Sequence, residues 1–367
     1  WALGMEYVAD LRRAPVNPLL GEGLGLPRPL VDTCKEIATY LRDRHAGFYK
    51  RTVLEMEALL FDEVGAAQAE DLGEVDTFRF EDEKVLEAAL LALGADKWGQ
   101  ANRWAEQRLG AETVSFWLRD DLNRRSAWEL VQGAGRLGLA IQQAGASLKA
   151  GTLEEALLRY QTVGAAVDQA HRHLEQRRLA LLYPQLPEYE MLRARLDQMR
   201  GEWRRWADSW ALAFSLLCRQ VGFLPTAALQ QRYLFDDVVR PMTQETGVTA
   251  LFLVDAFRYE MGVELFQMLQ DKTATSSFIS GRYAELPTVT EVGMNVLAPV
   301  AQGGRLRPAL SDGTFKGFMA GAFRVQDPET RRRAMHDRVG GHTSPKLELD
   351  AVVNTESAAL RRKIAHA

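Results

Sequence analysis

At 367 residues, 47% of them hydrophobic, the chain is long enough to bury two cores. Its formal charge of -4, from 45 basic and 49 acidic residues, excludes a general attraction to nucleic acid, so any DNA contact has to be local. No apolar run approaches the ~20 residues that span a bilayer, and Cys34 and Cys218 lie too far apart to suggest a disulfide framework or a zinc finger, which together predict a soluble, cytoplasmic protein.

The first residue is Trp1, inside an apolar-periodic segment and without a signal-like stretch, so the chain is expected to begin inside a longer protein. From Trp1 to about Phe235 nearly everything reads helical. Helical spacing runs through Leu30 to Leu60, Asp82 to Leu93, Lys97 to Leu109 and about Thr113 to Gly145. Thr152 with Glu155 makes a capping box that opens a further helix towards Leu182, closed by Pro184 and Pro187. The clearest period belongs to Leu192, Leu196, Met199, Trp203, Trp206, Trp210 and Phe214, a stripe that needs a partner surface. All eight tryptophans precede Ala211 and are read as helix-packing core. No fixed repeat period is present, so the expected form is a helical bundle or irregular helical scaffold over residues 1–240.

The pattern changes between Phe235 and Thr246, with Pro241 and Gly247 as punctuation, which places a second region at 241–367. It opens on Ala250-Leu251-Phe252-Leu253-Val254, read together with Val248 as a strand buried on both faces, whose end delivers the carboxylate of Asp255 to a sheet edge. Phe257 to Gln270 has the spacing of a return helix, and Ala274 to Tyr283 reads as a second extended segment. Thr288, with Glu291 three residues on, fits a capping box, which leaves Thr290 in the first turn, where free amides and the helix dipole favour an anion.

Val254-Asp255-Ala256-Phe257-Arg258 followed by Leu286-Pro287-Thr288-Val289-Thr290 resembles the opening pair of motifs of the alkaline phosphatase superfamily. With Tyr259-Glu260 after the first motif and Gly293-Met294 after the second, it looks most like the PglZ domain of BREX-type phage-defence systems. The fold this implies is an α-helical N-terminal region followed by the first part of an α/β alkaline-phosphatase-like domain. By resemblance, Asp255 is a ligand of a divalent metal, usually zinc, and Thr290 is both nucleophile and metal ligand. Arg258 and the amides after Thr290 are then placed to hold phosphate oxygens. The activity implied is that of a metal-dependent phosphoesterase or nuclease. The implied partners are other defence-system proteins, with DNA or another phosphodiester as substrate. The alternative is a non-catalytic interaction scaffold that keeps the fold.

A two-zinc centre of that kind needs further Asp and His ligands, because zinc takes about four donors, and no Asp-His-Gly triplet follows. His336-Asp337 and His342 have the wrong order and setting. Beyond Pro299 the loops at Gln302 to Arg305 and Ser311 to Gly313 read as irregular, Ala322 to Val325 as a strand, and Asp327-Pro328-Glu329-Thr330 as a helix start. Twelve Lys/Arg against seven Asp/Glu make this last stretch locally basic, and Arg331, Arg332 and Arg333 are read as a solvated helix face.

Overall fold

The computed structural model describes residues 1–110, 115–180, 185–186, 188–246, 249–270, 277–341 and 349–365. The chain divides into two compact units, one of residues 1–148 and 162–213, the other of 149–161 and 214–367. No described helix is long and apolar enough to cross a membrane.

The first unit is helical. In chain order it holds α1 (Ala2–Asp10), α2 (Arg28–Arg44), α3 (Ala46–Leu59), α4 (Phe61–Ala66), α5 (Arg79–Gly94), α6 (Trp98–Leu109), α7 (Phe116–Asp120) and α8 (Leu122–Ala144). The helix expected over Thr113 to Gly145 is two: Asp121 leaves the helical path, and its side chain accepts the N–H of Arg124 at 3.0 Å, capping α8. Residues 113 and 114 lie outside those described, as do Leu182, Pro184 and Pro187. After α9 (Leu153–Arg159) in the second unit, a π-helical turn at Tyr160–Gly164 leads into α10 (Ala165–Ala180). The Thr152 cap forms as expected, with its hydroxyl accepting from Glu155 N at 3.1 Å.

The predicted stripe lies on α11 (Tyr189–Val221), where Leu192, Leu196, Met199, Trp206 and Trp210 are buried. Trp203 stacks on His171 with ring centroids 3.7 Å apart and donates to Asp168 at 3.3 Å. The tryptophans of this stripe are therefore packing residues rather than an open stacking surface.

Close approach of α6 and α8 is made possible by glycine. A β-carbon at Gly138 would lie 2.3 Å from the Trp98 ring, and one at Gly135 would lie 2.9 Å from the Asn102 side chain. The same unit buries charge in matched sets. Arg124 pairs with Asp82 at 2.5 Å, Trp128 donates to the other oxygen of Asp82 at 2.7 Å, and Arg108 pairs with Asp76 at 2.8 Å. Burial pushes the Asp82 carboxyl up to about 6 although Arg124 favours its ionised form. Glu81 accepts the N–H of Phe78 at 2.7 Å; burial, reinforced by Asp76, holds its carboxyl well above the ordinary range.

The second unit continues through α12 (Arg240–Thr243), α13 (Tyr259–Gln270), α14 (Thr290–Gly293), α15 (Pro328–Arg338), α16 (Leu349–Asn354) and α17 (Ser357–Ala365). Its sheet has three antiparallel strands in sequence order: β1 (Pro308–Ser311), β2 (Thr314–Ala320) and β3 (Phe323–Val325). The Ser311 to Gly313 stretch, expected to be irregular, is a hairpin end. Ser311 pairs with Thr314, and Asp312 and Gly313 between them have φ of 51° and 74°, the Asp-Gly turn that matches strand twist. The strand expected near Ala322 to Val325 is β3, and α15 starts as expected, with Asp327 accepting from Thr330 N at 2.8 Å and Pro328 in the first position.

The buried strand expected over Val248 to Val254 does not form. Val248 lies outside the described residues. From Thr249 to Val254 the backbone runs without strand pairing, and Leu251, Phe252 and Val254 are exposed, Phe252 at 80%. Apolar composition marks a segment as wanting burial, but a strand exists only where a neighbour accepts its backbone bonds, and no described strand is paired with this run. Of the run, Leu253 packs against the unit's core of Phe235, Val239, Val292, Val296, Val300, Phe318, Val325 and Met335.

Gly138→Ala is expected to destabilise the protein by about 1–3 kcal/mol in chemical denaturation, because overpacking against Trp98 outweighs the ~1 kcal/mol that alanine normally adds in a helix. For Glu81 the sign follows from its raised folded pKa: the stability it contributes is present below the unfolded carboxylate range and is lost as pH rises through the folded value. Glu81→Gln should therefore remove a slope of up to about 1.4 kcal/mol per pH unit, gaining on wild type as pH rises from 5 to 8 in parallel urea titrations.

Candidate functional site

Two sequence motifs 35 residues apart meet in the second unit. Thr290 donates its hydroxyl proton to Asp255, with Oγ1 3.1 Å from Oδ2, and both residues are exposed. The other carboxylate oxygen accepts the N–H of Ala256 at 2.9 Å, and Ala256 takes a left-handed conformation with φ of 55°, unusual for a residue with a β-carbon. The turn at Asp255-Ala256 thus fixes the carboxylate through its own backbone before α13 begins at Tyr259.

Thr290 is held from the other side. Gln231 donates to the carbonyl of Gly293 at 3.0 Å, and its side-chain oxygen accepts from Glu285 N at 3.1 Å. Arg232 grips Glu285 through two bonds of 2.6 and 2.7 Å and reaches the carbonyl of Gly304 at 3.0 Å. Tyr283 makes a short parallel bridge with Gln230. This lashing ties 283–293 to 230–233, and buried Val292 and Val296 anchor α14 and the turn after it.

The capping box read at Thr288 is absent. The residue at the cap position is Val289, with no side-chain cap bond, and Thr288 is exposed. Val289 N bonds back to Pro287 O at 2.9 Å, which turns the chain one residue later than the motif suggests and makes Thr290 the first residue of a four-residue helix.

Arg258 lies on the Asp255 side of the site, 55% exposed, and pairs with Glu260 at 2.8 Å, whose side chain is 1% exposed. A second arginine, which sequence reading left on a solvated face, feels the charge of the Asp255 carboxylate. Arg331 Nη1 donates to Asn295 Oδ1 at 3.0 Å, and Asn295, 1% exposed, donates from its amide to Glu291 O at 2.7 Å. Burial lowers the Arg331 pKa, opposed by the negative charges of Asp327 and Asp255. The signal lay in helical spacing: Arg331 precedes Met335 by four residues, so both share the inward face of α15, and Met335 is in the core.

Asp255 and Thr290 offer two oxygens where zinc takes about four donors, and among the described residues no group of three or more His, Cys, Asp or Glu is placed to hold a metal. His342 lies outside the described residues, and His336 sits in the last turn of α15. The described residues do not complete the centre that the resemblance implies.

Comparison with known proteins gives one match. No curated protein and no solved structure matches the chain. Residues 234–342 match the model of the BREX system PglZ alkaline phosphatase-like domain, a span that contains Asp255, Arg258, Thr290, Asn295 and Arg331. That stretch is therefore similar to the alkaline phosphatase-like PglZ domain of BREX systems, and a helix-rich region precedes it.

Proposed function

We propose that this chain serves phage defence as a phosphoryl-transfer component, with Thr290 as nucleophile, working beside other proteins of the same defence system. The observation that carries this reading is the 3.1 Å hydrogen bond from the Thr290 hydroxyl to Asp255 within the matched domain. A threonine hydroxyl is a weak nucleophile until a neighbouring group takes its proton, and Asp255 is placed to do so. In the step proposed, the Thr290 Oγ1–P bond forms as the proton passes to Asp255, and the leaving-group oxygen departs with the electron pair of the broken P–O bond. Water then attacks the same phosphorus, the Oγ1–P bond breaks, and the proton held by Asp255 returns to Oγ1 as the phosphate leaves. The superfamily resemblance assigns the same two oxygens to a divalent metal, zinc by preference. Asp255 and Thr290 supply two of the about four donors that zinc takes. Arg258 and the first amides of α14 are the resemblance-based holders of phosphate oxygens. The substrate class is a phosphodiester, DNA among the candidates, reached through local rather than overall charge.

The test is made in cells carrying the intact defence system. Thr290→Ala is expected to return phage plating to the level of cells without the system, while Thr290→Ser retains part of the protection. Thr288→Ala should protect as wild type and change stability by no more than about 0.5 kcal/mol, since its hydroxyl caps nothing. Protection undiminished by Thr290→Ala would sink the nucleophile reading and leave the non-catalytic scaffold in its place.

Elemental analysis supplies a separate check on the donor set. The 367-residue chain, dialysed against buffer without chelator, is expected to hold well below one zinc per chain, because two solvent-facing oxygens bind it weakly. One-to-one zinc that disappears in Asp255→Ala would mean that residues outside those described, such as His342, complete the centre.

A further inference from the structure

The described residues leave one cation beside the Thr290 and Asp255 pair whose purpose the fold does not explain. Arg331 is drawn into the protein by its position on the inward face of α15, four residues before buried Met335. Its Nη1 is fixed by Asn295, which is itself locked to the Glu291 carbonyl one residue beyond Thr290. Among the described residues Nε and Nη2 of Arg331 make no further hydrogen bond, so the rest of the guanidinium fork is available. Among the described residues no ion pair anchors it, in contrast to Arg258, which pairs with buried Glu260, Arg338, which pairs with Asp236 at 2.9 Å, and Arg232, which pairs with Glu285.

We propose that Arg331, oriented by Asn295, binds the oxyanion of a phosphoryl group presented to Thr290, a task that the first motif alone would give to Arg258. The proposal rests on the reading of Thr290 and Asp255 as a phosphoryl site and extends it by naming the group that recognises phosphate. The electrostatics agree with the geometry: the guanidinium loses more by desolvation than the charges of Asp327 and Asp255 return to it, and the anionic oxygens of a phosphoryl group would supply the missing compensation. A planar fork suits phosphate because two parallel N–H groups meet two oxygens. Asn295 acts as a positioning residue, since its bond selects one orientation of that fork.

Inorganic phosphate is the probe, and the wild-type chain provides the first readout. Arginine modification by phenylglyoxal, mapped by mass spectrometry, is expected to slow at Arg331 by about tenfold in saturating phosphate, with exposed Arg332 unchanged and sodium chloride of equal ionic strength without effect. Calorimetric titration with phosphate should then weaken by about tenfold or more in Arg331→Gln, by less in Arg331→Lys, and not at all in Arg332→Gln, which removes the same charge from the next position. Asn295→Ala should weaken binding while leaving Arg331 accessible to the reagent, an effect that loss of folding alone would not give. Phosphate binding is read without turnover, so failure of the nucleophile in the phage assay and failure of Arg331 here are separate results. Equal weakening by Arg332→Gln, or phosphate protection at Arg258 instead of Arg331, would overturn the proposal, as would the absence of any protection in the wild-type chain.

Discussion

One small apolar core sets the geometry of everything that bears on function. Leu253 leans on it two residues before Asp255, Val292 and Val296 enter it directly after Thr290, and Ala334 and Met335 enter it three and four residues after Arg331. Each such side chain contributes on the order of 1–3 kcal/mol by leaving water, which is more than any hydrogen bond at the site can return. Side chains from three separate segments therefore converge because their neighbours share a core, and the 3.1 Å bond between Thr290 and Asp255 reports that arrangement rather than creating it.

Charge is handled differently in the two units. In the helical unit, ions are buried in matched sets, and Asp82 and Glu81 respond to that burial with raised carboxyl pKa values. At the Thr290 site the carboxylate and the hydroxyl are exposed, so water screens their field and the pair by itself does little work on a substrate. Occupation by a phosphoryl group would change this, because displacing water strengthens each electrostatic contact it makes. An exposed, only partly compensated site is suited to being completed by what binds to it.

The helical unit depends on shape more than on charge at its tightest crossing. Gly135 and Gly138 let α8 approach α6 until the Trp98 ring fills the space where a side chain would stand. Away from that crossing the apolar stripe of α11 does the expected work, burying Leu192, Leu196, Met199, Trp206 and Trp210. Apolar residues are exposed in both units; in the matched domain they include Leu251, Phe252, Val254 and, along α13, Leu265, Met268 and Leu269. These are the positions where the period of the sequence asked for burial and the described structure does not provide it.

That contrast separates what the sequence determined from what folding decided. Helical spacing, the caps at Thr152 and Asp327 and the Val254-Asp255 and Pro287 to Thr290 motifs are local chemistry, set by residues within one or two turns of each other, and they were legible in the chain alone. The three-residue spacing of Thr288 and Glu291 was legible too and misled, because the bond from Val289 back to Pro287 moved the helix start past the residue that looked like its cap. The run before Asp255 misled for a different reason: apolar composition does not say where a pairing neighbour will come from. Helical spacing puts Arg331 on the inward face of α15, but what it meets there was settled only in three dimensions. Its partner Asn295 is 36 residues away, and the carboxylate that acts on it is farther still, so what decided its place was the shared core beneath α14 and α15. Local patterns fix which elements form; long-range packing decides which side chains meet, because that depends on segments whose separation in sequence carries no signal of their approach.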